Sequence, residues 1–354
     1  MASRVVGLDI GTSGVRAAEL TTGKGSTTLE RFGQVALPAG AVRDGEIVDT
    51  DAVAEAIRQL WSQAKFSTKK VVVGVANQKV VVRQVDIPWM PANELKKALA
   101  FQVQDYVPMP VDEAILDFHQ LGEFANESGG RMLRILLVAA ARDMVGAAVD
   151  AVTKAGLQPT MVDLTSFAVM RSLVSFDSAV LGSGEAEALV DVGAHVTNIV
   201  VHEDGVPKFV RILIQGGGDV TDAVAERLGV PAEQAEAIKQ ESGMAAVPGA
   251  ADPTPAGRAI ESVANSFVEE VRGSLDYYMA QPGAARIGRV VVSGGGSRLR
   301  GLSDRLATAT RLPVQAARPL SALKLGKTGL TDDQLAYVEP MVAVPVGLAM
   351  GVSS

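Results

Sequence analysis

Two stretches, VVGLDIGTSGVRAAEL from Val5 and EALVDVGAHVTNIVV from Glu187, share one pattern: an apolar strand, Asp-x-Gly, a short polar turn and a second apolar strand. Asp9 and Asp191 stand 182 residues apart in the two copies. A duplication of this kind constrains the chain to two related α/β lobes, and 354 residues is long enough for two, since single cores tend to split beyond roughly 250–300 residues. Each copy ends a buried strand in a carboxylate and follows it with glycine (Gly11, Gly193). Without a side chain there, backbone N–H groups can approach an anion closely. The hydroxyls of Thr12, Ser13 and Thr197 add donors. Two such hairpins facing each other would hold a phosphate chain, with Asp9 and Asp191 on a hydrated Mg²⁺. Either motif taken alone also reads as an ordinary turn after a strand.

Two further glycine clusters open helices: Gly216-Gly217-Gly218-Asp219, and Ser293-Gly294-Gly295-Gly296-Ser297 after the strand RVVV. The latter reads equally as a binding loop or as a plain connection. His195 lies inside the second turn, where it either faces the anion or serves structure alone; His119 and His202 fall on expected strands and read as structural.

The first lobe is expected to continue with a helix over 51–64 capped by Asp51, and with strands at 71–76 and 80–87. From Val80 to about Gly156 the pattern reads strand, helix, strand, strand, helix, a small insertion whose second helix starts at Asp143 as N-cap and ends at Gly156. A Gly/Ser link near 182–184 leads to the second lobe, which holds helices near 221–228, 232–241 and 258–279, a Pro/Gly/Ala loop at 245–257 and a helix at 301–309. The apolar tail MVAVPVGLAMG is expected to pack back on the first lobe. The resulting division is 1–79 and 157–186 as lobe 1, 80–156 as insertion, 187–330 as lobe 2 with a helical part at about 219–285, and 331–354 as the returning segment.

Several chemistries are excluded. Zero cysteines forbid disulfides, thiolate metal sites and cysteine nucleophiles. A net charge of −7 without a dense Lys/Arg run argues against a nucleic-acid groove. There is no G-x-x-x-x-G-K-[ST], no G-x-G-x-x-G opening a helix after a strand and no G-x-S-x-G. The apolar stretches 135–141 and 341–352 fall short of the ~20 residues of a membrane helix, and no signal-peptide pattern opens the chain, so a cytoplasmic protein is expected.

Asp9-x-Gly11-Thr12, Asp191-x-Gly193-x-x-x-Thr197 and Ser293-Gly294-Gly295-Gly296 occur in the order of the phosphate-1, phosphate-2 and adenosine motifs of the actin/Hsp70/sugar-kinase superfamily. Within it the chain most resembles the PilM family of type IV pilus assembly proteins. The opening VVGLDIGTSGVRAAEL, the inserted ELKKALAFQVQDYVPMPVDEAILDFHQLG, IQGGGDVTDAVAERLGV and AEAIK carry this resemblance. It implies an actin-like two-lobed α/β fold of duplicated ribonuclease H-like lobes with a small α+β insertion in lobe 1, ATP in the cleft and Mg²⁺ on its phosphates. By motif, Asp9, Gly11, Thr12, Ser13 and Arg16 fall in the first phosphate loop; Asp191, Gly193 and Thr197 in the second. Gly217 opens the next helix, Glu236 and Lys239 correspond to the helix touching ribose and adenine, and Gly294, Gly295, Gly296 and Ser297 close over the nucleoside. Arg16 stands where the family commonly has Lys, a planar fork in place of a point charge. Glu236 and Lys239 also fit a solvated i, i+3 pair.

The resemblance further implies a cytoplasmic scaffold binding the N-terminal tail of a PilN-like inner-membrane protein in a groove involving the insertion, with other pilus assembly proteins, a motor ATPase among them, as further partners and contact with the membrane through partners alone. No residue stands out to orient an attacking water, so ATP turnover is left open. Two alternatives are a sugar-type kinase, against which no general base for a hydroxyl is apparent, and an FtsA-like division tether. Members of that family end in an amphipathic membrane helix, whereas this chain ends GLAMGVSS.

Overall fold

The computed structural model describes residues 3–23, 25–174, 184–245 and 254–351. The expected link near 182–184, apart from Gly184, and most of the expected loop at 245–257 lie outside these residues. The chain opens as a meander of β1 (Ser3–Ile10), β2 (Gly14–Gly23) and β3 (Ser26–Ala36). A short hairpin of β4 (Val42–Arg43) and β5 (Glu46–Ile47) precedes α1 (Thr50–Ala64) and β6 (Lys70–Val75). Next come β7 (Val80–Pro88), α2 (Ala92–Val103), β8 (Ala114–Ala125) and β9 (Arg131–Ala141). The first lobe resumes with α3 (Arg142–Lys154), β10 (Gln158–Leu164) and α4 (Thr165–Leu173).

The second lobe repeats the meander as β11 (Ala186–Val192), β12 (Thr197–Glu203) and β13 (Val206–Leu213). Three helices, α5 (Gly217–Leu228), α6 (Ala232–Ser242) and α7 (Pro255–Met279), precede β14 (Ile287–Ser293), α8 (Leu302–Thr310) and β15 (Val314–Ala316). β16 (Lys324–Leu325), α9 (Asp332–Val338) and α10 (Ala343–Met350) finish the described chain.

The strand orders β10-β6-β1-β2-β3-β16 and β13-β12-β11-β14-β15 are one arrangement used twice. β11, β12 and β13 stand where β1, β2 and β3 do, and β14 and β15 where β6 and β10 do; β1 and β6 pair in parallel, as do β11 and β14. The central strands read KVVVGV and AEALVDV and are buried almost throughout, as strands covered on both faces must be. A separate sheet, β7-β9-β8, packs on α2 through Val85, Leu95, Leu99, Ile135 and Leu137. By contrast, Met144, Val145 and Ala148 of α3 join Val53, Ile57 and Leu60 of α1 in the first lobe's own core.

Two caps differ from expectation. Asp49, not Asp51, caps α1, its carboxylate accepting the Ala52 N–H at 2.9 Å, because the helix already begins at Thr50 and leaves Asp51 inside its first turn. β9 runs directly into α3, so the N-cap is Ala141; Asp143 sits in the first turn and faces Lys79 at 3.3 Å. Gly156 does end the helix with a φ of +83°.

α4 and α10 form a layer between the two sheets, with Ala168, Val169, Val344 and Leu348 packed against Val72 of one and Leu189 and Val200 of the other. The approach is close: a Cβ on Gly7 of β1 would meet the Pro345 carbonyl oxygen at 2.0 Å, and one on Gly347 the Ala168 carbonyl oxygen at 1.8 Å. Among the described residues no helix is long and apolar enough to cross a membrane.

Candidate functional site

The duplicated hairpins share their internal geometry. Gly11 N–H donates to the Gly14 carbonyl at 3.0 Å, and Gly193 N–H donates to the Val196 carbonyl at 3.0 Å. In the strand register Asp9 lies opposite Arg16 and Asp191 opposite Asn198. The same offset sets His195 at the place of Ser13 and Thr197 at that of Val15. Thr197 is accordingly buried away from the turn, and its hydroxyl donates to the Gln215 carbonyl at 2.8 Å, fastening the second hairpin to the chain ahead of α5. Its neighbour Asn198 lines the cleft instead.

A cavity of about 1090 Å³ lies between the lobes. Asp9, Gly11, Thr12, Ser13 and Arg16 line it from one side; Asp191, Gly193, Gly217, Glu236, Lys239, Gly294, Gly295 and Gly296 line it from the other. Ser297 is not on this wall; its hydroxyl donates to the Gly294 carbonyl at 2.7 Å and closes its own turn. Gly193, Gly217 and Gly296 touch through backbone: Gly217 N–H donates to the Gly193 carbonyl at 2.9 Å, and a Cβ on Gly217 would meet Gly296 Cα at 2.9 Å. Glycine at these places lets three chain segments bring bare backbone to one wall.

The charges at the hairpin end are incompletely matched. Burial raises the pKa of Asp9 against the pull of Arg16, whose Nη1 is 3.8 Å away. Asp191 is pushed up to about 6, chiefly by burial and further by the Asp9 charge, although the Ser293 hydroxyl donates to it at 2.7 Å. Meanwhile Arg16 Nε is buried with no hydrogen-bond partner. Two crowded carboxylates beside a guanidinium with an unused donor fit a cation on the first and an anion on the second. Among the described residues no three His, Asp or Glu converge as a metal cage. A cation on Asp9 and Asp191 would therefore keep most of its waters, as Mg²⁺ does.

Glu236 and Lys239 are more than a solvated surface pair. Lys239, 8% exposed, places Nζ 2.8 Å from the Gly217 carbonyl, 2.8 Å from Thr221 Oγ1 and 2.6 Å from Glu236 Oε2. All three ammonium donors are used within the protein, so Lys239 ties α6 to the start of α5. Burial pushes the Glu236 carboxyl up, but the bonds from Lys239 and Thr221 outweigh it and leave its pKa lowered.

Some lining residues escaped the motif reading. Arg298 directly follows the Ser293–Ser297 cluster, a signal that adjacency offered; its guanidinium lies 3.9 Å from the ring centroid of Tyr337 on α9, which carried none. Thr165 of α4 also reaches the cavity, donating with Ser166 to Asn198 Oδ1 at 2.9 and 2.8 Å.

The family model described as type IV pilus assembly protein PilM matches residues 7–352. The chain belongs to the PilM family. A solved PilM-PilN type IV pilus biogenesis complex superposes with a TM-score of 0.84 at 26% identity, covering 98% of this chain and 97% of that one. MreB5 of Spiroplasma citri, solved bound to AMPPNP, gives a TM-score of 0.52 at 12% identity over 96% of this chain and 94% of that one, a likeness of fold. The fold is thus the actin-like one that the resemblance implied. Among curated proteins, FtsA of Neisseria meningitidis is 24% identical over 88% of this chain and 83% of its own length. FtsA of Bacillus subtilis is 26% identical over 68% of this chain, which spans 58% of that protein. The PilM match runs across both lobes and the insertion, so both Asp-x-Gly turns lie within it.

Proposed function

We propose that this PilM-family chain is an ATP-binding scaffold of the type IV pilus inner-membrane assembly complex, which holds the N-terminal tail of a PilN-like membrane protein and changes lobe closure with nucleotide state. The observation that carries the nucleotide reading is the matched pair of hairpins, which bring a carboxylate and a glycine turn to one cavity from both lobes. Arg16 and the backbone of Gly11 and Gly193 would bind phosphate oxygens; Asp9 and Asp191 would hold Mg²⁺ through water, which supplies charge neutralisation on the phosphates. Lys239 fixes α6 so that Glu236 faces the nucleoside, and Gly294–Gly296 pass beneath it. Because the ligands divide between lobe 1 (1–79 with 157–186) and lobe 2 (187–330), binding draws the lobes together.

The partner reading is supported by the likeness to a solved PilM-PilN complex and by apolar side chains left open on the inserted sheet and its helix. Phe101 on α2 is 73% exposed, and Tyr106 just beyond is exposed as well. Docking an extended apolar peptide there is an ordinary recognition mode, and it would bring the protein to the inner membrane through its partner.

Equilibrium binding of Mg-ATP, with product analysis, tests the nucleotide reading on wild type and Asp191→Ala. Retention by wild type and loss in the variant are expected, and no binding by wild type would sink it. A labelled tail peptide should bind wild type in a nucleotide-sensitive way and bind Phe101→Glu weakly. The FtsA relatives favour one rival, a filament-forming membrane tether, which strong cosedimentation of the isolated protein with lipid vesicles would support instead.

A further inference from the structure

The phosphate end of the cavity holds a second cationic group that neither the motif nor the family match assigns. His195 sits in the β11–β12 turn, on the cavity wall, at the register place of Ser13. Its ring packs against the start of α5: a Cβ on Gly218 would meet Cε1 at 2.7 Å and Nε2 at 2.8 Å. Nδ1 is 3.3 Å from Asp219 Oδ1, and Asp219 is itself fixed by the Gly216 N–H at 2.7 Å. Nε2 makes no hydrogen bond among the described residues; Asp222 Oδ2 is 3.8 Å away, near enough to favour the charged ring and too far to take its proton. The acidic groups facing the ring are Asp219 and Asp222 on α5 and Asp44 at the tip of the β4–β5 hairpin of the other lobe. The bond to Asp219, and the charges of all three, raise the imidazole pKa against partial burial.

Position indicates what the free N–H addresses. Arg298, stacked on Tyr337, and Glu236 line the cavity, and a chain of close backbone contacts, Gly296 with Gly217 and Gly217 with Gly193, leads to the turn that carries His195. A nucleotide with its base beside Arg298 and Tyr337 and its phosphates along the two hairpin turns would bring its last phosphate to this ring. We propose that His195 Nε2 donates to the terminal phosphate of a nucleoside triphosphate, from the opposite lobe to Arg16, and makes the preference for triphosphate over diphosphate depend on its protonation. This rests on the nucleotide reading above. His195 positions a phosphate oxygen in this role and takes no part in bond breaking.

The test is the ratio of Mg-ATP to Mg-ADP affinity, by calorimetry, between about pH 6.5 and about pH 8.5, on wild type, His195→Gln, His195→Lys and Asp222→Asn. A charge-assisted hydrogen bond corresponds to about a tenfold effect. The wild-type ratio should fall by about that factor as pH rises through the raised imidazole pKa, stay low and flat in His195→Gln, and be restored without the slope in His195→Lys. Asp191 and the nucleotide titrate alike in wild type and His195→Gln, so the difference between those curves isolates the ring. Asp222→Asn, at an exposed position, should shift the midpoint to lower pH, which keeps the proposal testable should a His195 variant fail to fold. A His195→Gln curve that matches wild type overturns the proposal and leaves nucleotide binding standing; a wild type that binds neither nucleotide overturns both.

Discussion

Arg16 and Asn198 occupy one register position in the two hairpins, each directly across from the carboxylate that ends the preceding strand. Duplication kept the carboxylates and let their partners diverge. Asp9 faces a guanidinium, while Asp191 depends on neutral donors, the Ser293 hydroxyl and the Asn198 side chain. Asn198 Oδ1 is in turn occupied by Thr165 and Ser166 at the start of α4. A buried polar chain therefore runs from the layer between the sheets to the Asp191 carboxylate, which lacks a cation of its own.

Asp191→Asn should separate stability from function. Its pKa of about 6 in the folded chain lies above the ordinary 3.8, so the folded state holds the extra proton and stability falls as pH rises from 3.8 through about 6. Asp191 is 7% exposed, so screening is slight. Above that window the carboxylate costs on the order of 3 kcal/mol, which the amide avoids. Urea unfolding at about pH 8 should find the nucleotide-free variant more stable than wild type, with the gap vanishing in acid and Mg-nucleotide binding lost. Equal stabilities at about pH 8 would contradict the assignment.

Two adjacent glycines should respond differently to one methyl group. A Cβ on Gly296 would meet Val192 Cγ1 at 2.6 Å, the Gly193 carbonyl oxygen at 2.8 Å and Gly217 N at 3.1 Å, so all three loops must move. A Cβ on Gly295 meets only the Met341 side chain, at 3.7 Å. Gly296→Ala should lower stability by about 1–3 kcal/mol and weaken nucleotide binding, whereas Gly295→Ala should change thermal unfolding little. The comparison is informative because each change adds the same single carbon.

The parts of this site legible in the sequence were those fixed locally. A buried strand ending in Asp-x-Gly announces its turn wherever it stands, and the repeat announced the second lobe. Thr197 was misplaced because a hydroxyl near the turn looks suitable by type, while strand alternation gives the cleft-facing place to Asn198. The cap likewise belongs to Asp49 and not Asp51, since apolar periodicity fixes a helix face better than its first turn. Tyr337 is out of reach of the sequence: α9 packs through Val338 on Leu20 and Leu29 of the first lobe, and only the folded chain brings Tyr337 beside Arg298.

Lys239 acts through its partners. Lys239→Met would leave the Gly217 carbonyl, the Thr221 hydroxyl and the Glu236 carboxylate without their shared cation. Breaking a buried pair on one side costs about 3 kcal/mol, less here because Glu236 is partly open to water. The melting temperature should drop and Mg-ATP affinity should fall about tenfold or more. Arginine is too long and planar for three convergent acceptors, so Lys239→Arg should not restore either measurement. Full affinity in Lys239→Met would mean that α6 is held by its apolar contacts alone.

The layer between the two sheets makes the last prediction. A Cβ on Gly347 would lie 1.8 Å from the Ala168 carbonyl oxygen and 2.4 Å from its carbon, so Gly347→Ala must push α10 off α4. With α10 go the contacts of Val344 and Leu348 with both sheets, and the loss should exceed about 3 kcal/mol, since each such side chain contributes roughly 1.5–3 kcal/mol by burial. Gly273, on the exposed side of α7, has nothing within 4 Å of its Cβ position. There Gly273→Ala should add about 0.5–1 kcal/mol through helix propensity. Chemical denaturation of both variants is the check. Opposite signs are expected from the same substitution, and a stable, nucleotide-binding Gly347→Ala would show that the two sheets do not depend on α10 to stay joined.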